Sequence, residues 1–546
     1  DALPSGGQVA AGQVSFAASG GPAAPLLQVT QSSDRAIVNW QSFDVGKDAT
    51  VRFVQPSASS AILNRVVGAD PTRIYGQLAS NGQVFLVNPQ GVYFSPTSRV
   101  EVGALVASTL SISDGDFLAG RLNFRRDGAV GSVVNEGQIR TLYGGYVALL
   151  APEVRNAGLI VASAGSVLLA AGETVSFNFD PQAGVTGLFV EPARVRALVE
   201  NGRIVQAPGG QVIFSAQAHN EVAAGVIRNT GEVAATGITQ DGGRILLDAS
   251  GSVEQGGVAD ASSSAGKGGE VRLVAPAIEL LAGSVISATG TAGGGRVLVG
   301  GDWQGAGTLA PARSVAMQAG ATIDVSATAL GDGGTAVLWS DVRQAVSVTS
   351  ASGVIRALGG ALGGDGGRVE TSGYALFTDG LSVDTRAPAG RTGLWLLDPV
   401  NITIATSGGN LTPTQLRDGL LTSNVTISTA GSGSATGVSP TYSAGSGDIT
   451  ISNQVESLSP NSLTLTADNN INVNAIVAMG GSLTLNAGNA INLGANVITG
   501  GDQTYNGAVN LTAAVSLSSY GWDVVAYQWL ASYGALNATF GGSSAT

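Results

Sequence analysis

The sequence predicts an all-β protein wound as a right-handed parallel β-helix, with an amino-terminal cap and small extra-helical β elements. Three observations predict it. Short runs of Val, Ile, Leu and Thr alternate with Gly, Asn, Ser and Asp along most of the 546 residues. Gly-Gly or Ala-Gly pairs recur just ahead of such runs. Two adjacent blocks of twenty residues repeat each other with a period-two apolar pattern inside each block.

The runs come first. Segments 145–150 (GYVALL), 165–170 (GSVLLA), 243–248 (GRILLD), 269–274 (GEVRLV) and 295–300 (GRVLVG) read as strands, each opened by glycine or alanine-glycine. The openings fall at Gly144, Ala164, Gly209, Gly242, Gly268, Gly294, Gly333 and Gly366, with two successive steps of 26 between Gly242 and Gly294. Helical periodicity is scarce. The two candidates are 58–67 (ASSAILNRVV) and 412–421, where Thr412 is placed to cap a helix with Pro413 at its first position.

The repeat lies further on. Residues 462–481 (SLTLTADNNINVNAIVAMGG) and 482–501 (SLTLNAGNAINLGANVITGG) agree at 12 of 20 positions without a gap. Leu463, Leu465, Ile471 and Val473 in the first block correspond to Leu483, Leu485, Ile491 and Leu493 in the second. Period two puts these side chains on one face, and a period of twenty closes the path once per repeat, so they should stack as an aliphatic core. Asn469 and Asn489 share that inward parity at a corner and are expected to stack as an amide ladder. At about 23 residues per coil and roughly 4.8 Å per strand spacing, the chain would make a rod on the order of 100 Å. Open ends of such a rod require caps.

Composition excludes several functions. Zero cysteines and a single histidine, His219, leave no disulfide, thiol or cysteine-histidine zinc chemistry. A net charge of −12 argues against nucleic acid. No apolar run reaches about 18 residues, so no transmembrane helix is expected. Lack of cysteine also suits a chain that must cross a pore unfolded, since an oxidising compartment would crosslink it before passage. The start at Asp1 without basic and apolar leader regions reads as a mature exported protein or one never targeted, and the uncapped end suggests a product that continues past Thr546. Neither metal nor cofactor is expected, and no catalytic residue. The carboxylate pairs Asp114/Asp116 and Asp241/Asp248 read as surface turn aspartates, with a β-helical polysaccharide-active enzyme as the rival reading. The late aromatic residues Tyr520, Trp522, Tyr527, Trp529, Tyr533 and Phe540 read as a packed junction or a carbohydrate platform. Asn401, Asn410, Asn424, Asn510 and Asn537 open N-x-[ST] triplets.

One region carries a family signature. Residues 34–54 (DRAIVNWQSFDVGKDATVRFV), 74–93 (IYGQLASNGQVFLVNPQGVYF) and 99–110 (RVEVGALVASTL) include the turn Asn88-Pro89-Gln90-Gly91 between apolar strands. This closely resembles the amino-terminal secretion domain of filamentous-haemagglutinin-type exoproteins, the substrates of two-partner secretion. The likeness is best over about residues 5–160 and looser to about 245. The family's second turn, often Asn-Pro-Asn-Leu, has no copy; Asn39-Trp40-Gln41-Ser42 stands near its place, so only the NPQG turn is carried over. Pro89 fixes φ, Gly91 admits a conformation other residues avoid, and Asn88 can bond its own downstream backbone, so the strand pair is expected to reverse sharply there.

The resemblance implies passage through the periplasm and recognition of the amino-terminal region by the periplasmic domains of a β-barrel transporter in a Gram-negative outer membrane. It further implies vectorial folding into a secreted or surface-held rod used for adhesion, biofilm or cell contact, with the receptor left open; a haem scavenger or a toxin stalk is the other family outcome. Three domains are expected: 1–245 as the secretion domain, 246–400 as a continuation with Gly-Gly-opened coils, and 401–546 as Asn/Thr/Ser-rich repeats. A flexible linker or a long loop is expected at 430–447.

Overall fold

A computed structural model describes residues 3–219, 224–237, 239–429, 447–519 and 538–541. The chain divides into two compact units, residues 1–264 with 269–275, and residues 265–268 with 276–546. Each is a parallel β-helix.

In the first unit, alternating apolar residues build three ladders of short parallel strands. One runs through Ala61–Val66, Gln83–Val87, Ala104–Ser108, Tyr146–Leu150, Ser166–Ala171, Gln211–Ala216, Arg244–Ala249 and Glu270–Val274. A second passes through Thr72–Ile74, Val92–Phe94, Ser132–Asn135, Glu153–Asn156, Ala197–Asn201, Gly225–Asn229 and Ser252–Gln255. The third begins at Leu26–Gln31 and continues through Thr50–Val54, Gln77–Ser80, Arg99–Val102 and later coils. Inward positions such as Val84, Leu86, Val147, Leu149, Val167 and Leu169 are fully buried.

Two devices deal with exposed sheet surface. The open start is covered by Gln8–Ala11, antiparallel to Arg35–Trp40, and Val14–Ser19, antiparallel to Leu26–Gln31. Trp40 pins this cap edge-on between Phe16 and Phe43, and its indole N–H donates to Asn64 Oδ1 at 3.0 Å. Farther along, an antiparallel sheet of Leu122–Arg125, Thr174–Asp180 and Gly184–Glu191 lies against the outer face of the first ladder. A one-turn helix, Asp114–Leu118, capped by Ser113, joins it. Phe117, Phe124, Val175, Phe177 and Val185 make a second core there with Phe85, Ala148, Leu150 and Leu168. This is why GYVALL and SVLLA read as continuous apolar runs: both sides of these strands are buried.

The glycine punctuation has a steric cause. A Cβ on Gly103, Gly145, Gly165, Gly210, Gly243 or Gly269 would fall on the carbonyl oxygen of Gly82, Gly103, Gly145, Gly165, Gly210 or Gly243, respectively. Each coil thus crosses its predecessor at a corner where backbone meets backbone, and only glycine fits.

The helix expected at 58–67 does not form. Ala61–Val66 is a strand paired in parallel with both Arg35–Trp40 and Gln83–Val87. Ladder bonds on two edges and burial of all its residues except Arg65 outweigh the helical propensity of Ala and Leu. The helix Pro413–Thr422 does form, with Thr412 and Gln415 closing a capping box.

In the second unit one ladder joins Arg296–Val299, Thr335–Trp339, Arg368–Gly373, Leu394–Pro399, Asn424–Ser428, Leu463–Ala467 and Leu483–Leu493. Leu463 stands opposite Leu483, Leu465 opposite Leu485, Ile471 opposite Ile491 and Val473 opposite Leu493, all essentially solvent-free. The expected linker at 430–447, apart from Gly447, and the side chains of the late aromatic group lie outside the described residues.

Candidate functional site

The Asn88–Gly91 segment is a closed β-turn, with the Gly91 N–H donating to the Asn88 carbonyl at 3.0 Å. It is not the hairpin reversal expected from the sequence. It is a corner: Gln83–Val87 before it belongs to one ladder, Val92–Phe94 after it to another, and both strands pair in parallel. The reason is that each strand takes its partners from the coils before and after it, Gln83–Val87 from Ala61–Val66 and Ala104–Ser108 and Val92–Phe94 from Thr72–Ile74 and Ser132–Asn135, so neither has an edge left for the other.

Asn88 is the anchor. Its side chain is fully buried. Its Nδ2 donates to the Asp70 carbonyl and to Thr72 Oγ1, both at 3.0 Å, while its Oδ1 accepts from the Gln90 N–H at 3.0 Å. The Asn88 N–H donates to the Ser108 carbonyl of the following coil at 2.9 Å, and the Thr72 N–H to the Gly91 carbonyl at 3.0 Å. One turn therefore ties three successive coils. Gly91 has φ of 132°, in the region that favours glycine. Only Gln90 is exposed, with Pro89 half-buried. Beside the corner, Tyr93 meets Tyr75 edge-on and donates its hydroxyl to Glu136 Oε2. That hydrogen bond, with some burial, pushes the Tyr93 phenol up to about 12.

A buried amide ladder runs along the same face of the unit. Nδ2 of Asn135 donates to Asn156 Oδ1, Asn156 to Asn201, and Asn201 to Asn229, each at 2.8 Å, and Asn229 to Gln255 Oε1 at 3.0 Å. All five are at most 1% exposed. Sequence reasoning missed it. Its signal was present: VVNEG, EVRNAG, LVENG, VIRNTG and VEQGG each end a strand in an amide just before a glycine. Outside, the preceding residues Arg155, Glu200, Arg228 and Glu254 alternate in sign, with Arg155–Glu200 at 3.6 Å and Arg228–Glu254 at 2.7 Å.

The inward stack expected of Asn469 on Asn489 does not occur. Asn469 Nδ2 donates to Asp448 Oδ1 and Asn489 Nδ2 to Asn470 Oδ1, each at 2.9 Å, and Asn489 is exposed. Period-two counting fails at the corner, where the convex bend turns these side chains outward. Amide rows do form on the outer face, from Thr466 through Asn486 to Asn506 and from Thr450 through Asn472 and Asn492 to Asn510.

The other candidates are placed as follows. Asp114 bonds Arg65 at 2.6 Å and Asp116 bonds Arg121 at 2.7 Å; the latter pair draws the Asp116 carboxyl down. Asp241 is exposed at a corner turn, whereas Asp248 lies in the next strand, where burial pushes its carboxyl up. His219 is exposed. Among the described residues no group of three His, Cys, Asp or Glu is placed to hold a metal, and no helix is long and apolar enough to cross a membrane. Of the N-x-[ST] asparagines, Asn401 and Asn510 are exposed, Asn410 and Asn424 are half-buried, and Asn537 lies outside the described residues.

Residues 1–261 match the family model of the TPS secretion domain. The heme/hemopexin-binding protein of Haemophilus influenzae strain Rd is 29% identical over 255 residues, covering 45% of this chain and 27% of that protein. A second heme/hemopexin-binding protein of Haemophilus influenzae is 29% identical over 247 residues, with 41% and 26% covered. This chain thus spans about a quarter of the length of these curated relatives. The crystal structure of the HMW1 secretion domain from Haemophilus influenzae is similar at 30% identity and a TM-score of 0.62, over 72% of this chain and all of that one.

Proposed function

Because this chain belongs to the exoproteins that carry a TPS secretion domain, we propose that its first unit is read by the periplasmic domains of a dedicated outer-membrane β-barrel transporter, and that its coils fold one upon another as they emerge. Exoproteins of this family are secreted across the outer membrane of Gram-negative bacteria by way of the periplasm, to the cell surface or the medium. The second unit then serves as a shaft for adhesion or cell contact, without catalysis.

The observation that carries this reading is the coil-by-coil bonding of the first unit. Each coil gives its neighbour a parallel ladder, a buried amide bond and fully buried aliphatic side chains. Burying one such side chain is worth about 1.5–3 kcal/mol. Nearest-neighbour stacking of this kind lets coils add in order, so folding outside can draw the chain outward without ATP. The NPQG corner acts in this scheme as the clamp for the first coils rather than as a contact surface, because its asparagine is buried and only Gln90 faces solvent.

The test expresses the full chain with and without its cognate transporter and measures the medium. Release without the transporter refutes the secretion reading. Asn88→Ala should reduce release and Gln90→Ala should not; the reverse would make the turn a contact surface. A second reading, haem or haem-carrier capture, draws on the names of the curated relatives. The match covers about a quarter of those proteins, so it reaches this chain only through the shared secretion region. A haem titration of the full chain decides it by the presence or absence of a Soret shift.

A further inference from the structure

The connection of residues 300–313, between Arg296–Val299 and Ser314–Met317, leaves the coil path of the second unit and folds back over its outer face. Trp303 and Leu309 pack there on Leu298, Val337, Trp339 and Val342. Trp339 is 4% exposed, and Gly301 and Gly305 sit so close to its indole that a Cβ on either would be 2.6 or 2.8 Å away. In the middle of this strap Gln304 holds a left-handed backbone, φ 51°. Its N–H donates to Glu370 Oε2 at 2.7 Å, and Ser372 Oγ donates to Glu370 Oε1 at 2.7 Å. Glu370 is fully buried on an outward-facing position between Val337 and Leu396. Burial strips this carboxylate of water, and two neutral donors replace only part of that hydration, so the charged form is costly there and the neutral form is not.

We propose that this strap is a proton-dependent latch, closed over the second unit by Glu370 and loosened when that carboxyl ionises. The charged groups around it are few. Arg368, on the same strand, holds its guanidinium 4.4 Å from the Trp303 ring. Arg296 lies beyond it in the ladder and repels Arg368. Asp398 is buried opposite Ser372 on the next strand. Asp302, in the strap itself, accepts from the Leu309 N–H at 3.0 Å. The intervening strand Thr335–Trp339 brings no titratable side chain.

Burial pushes the Glu370 carboxyl up to about 7, against the opposing pull of Ser372, Gln304 and Arg368. With the strap open the carboxyl returns to the ordinary range near 4.3. A raised acid favours the closed state while it is protonated. Closure is therefore strongest below the open-state value, is lost as pH rises through the interval up to 7, and levels off above it. The Trp339 indole N–H has no hydrogen-bond partner under the closed strap, and opening hydrates it. In a secreted protein this element meets the pH of the medium directly.

Hydrogen exchange of the full chain between pH 5 and pH 8, corrected for intrinsic rates, tests the latch. Protection of residues 300–311 should fall by about two orders of magnitude across that range. In Glu370→Gln it should stay flat and exceed that of the unmodified protein at pH 8. A flat profile in the unmodified protein overturns the proposal whatever the variant does. An equal fall in the variant assigns the dependence to another group and overturns it as well.

Discussion

Asn201 sits in the middle of the buried amide ladder, and replacing it with alanine has consequences that can be counted. Its Nδ2 donates to Asn229 Oδ1 at 2.8 Å and to the Glu232 carbonyl at 3.2 Å, and its Oδ1 accepts from Asn156 at 2.8 Å. In Asn201→Ala, the Asn156 Nδ2 keeps only long contacts to the Gly158 and Ile204 carbonyls at 3.3 Å. Asn229 Oδ1 loses its donor in a site water does not reach. An orphaned buried polar group costs about 1–3 kcal/mol, and the emptied volume adds to it, so the total should be about 3–5 kcal/mol. Because solenoid contacts are between neighbours, the loss should be local to strands Ala197–Asn201 and Gly225–Asn229. Hydrogen exchange of those strands in the full chain, at rising urea, measures it. The control is Asn506→Ala, which removes an exposed amide bond to Asn486 of 2.7 Å and should cost less than about 1 kcal/mol. A loss below 1 kcal/mol for Asn201, or one no larger than the control, would refute the argument that the ladder holds the coils.

Other expectations are as follows. Asn88→Ala strands the Thr72 hydroxyl and the Asp70 carbonyl and should destabilise the coils around residues 61–108 by about 2–3 kcal/mol, read by exchange of the Gln83–Val87 amides. Gly165→Ala drives a methyl onto the Gly145 carbonyl and should lower the yield of folded protein sharply, whereas Gly115→Ala, which faces open space in the one-turn helix, should be neutral or slightly stabilising. The Tyr93 phenolate should appear only near pH 12 in an ultraviolet titration, and Glu136→Gln should bring it down toward 10. The raised phenol favours the folded state while it is neutral, and that contribution is lost as pH rises from 10 toward 12.

The parts of this molecule that are written in one dimension were legible before any coordinates. Leu463, Leu465, Leu483 and Leu485 advertise period two within a period of twenty, and a strand has no choice but to send alternate side chains to opposite faces. Thr412-Pro413 announces a helix start, and the capping bonds that form there span only three residues. The NPQG turn was visible for the same reason, since its Asn88-to-Gly91 and Asn88-to-Gln90 bonds are local.

Contacts between distant residues decided the rest. Residues 61–66 have helical composition and became a strand because ladders formed on both edges. Asn469 and Asn489 carried inward parity and turned outward because the path bends at their corner. Asn135, Asn156, Asn201 and Asn229 met only when separations of 21, 45 and 28 residues closed into successive coils. Glu370 looks like any surface strand carboxylate until a strap some 66 residues earlier in the chain covers it. Sequence alone set the periodicities that make a coil, because they follow from backbone geometry. The register between coils, and the burial of each polar group within them, needed the tertiary structure, because loop lengths between coils vary and only packing selects which residues meet.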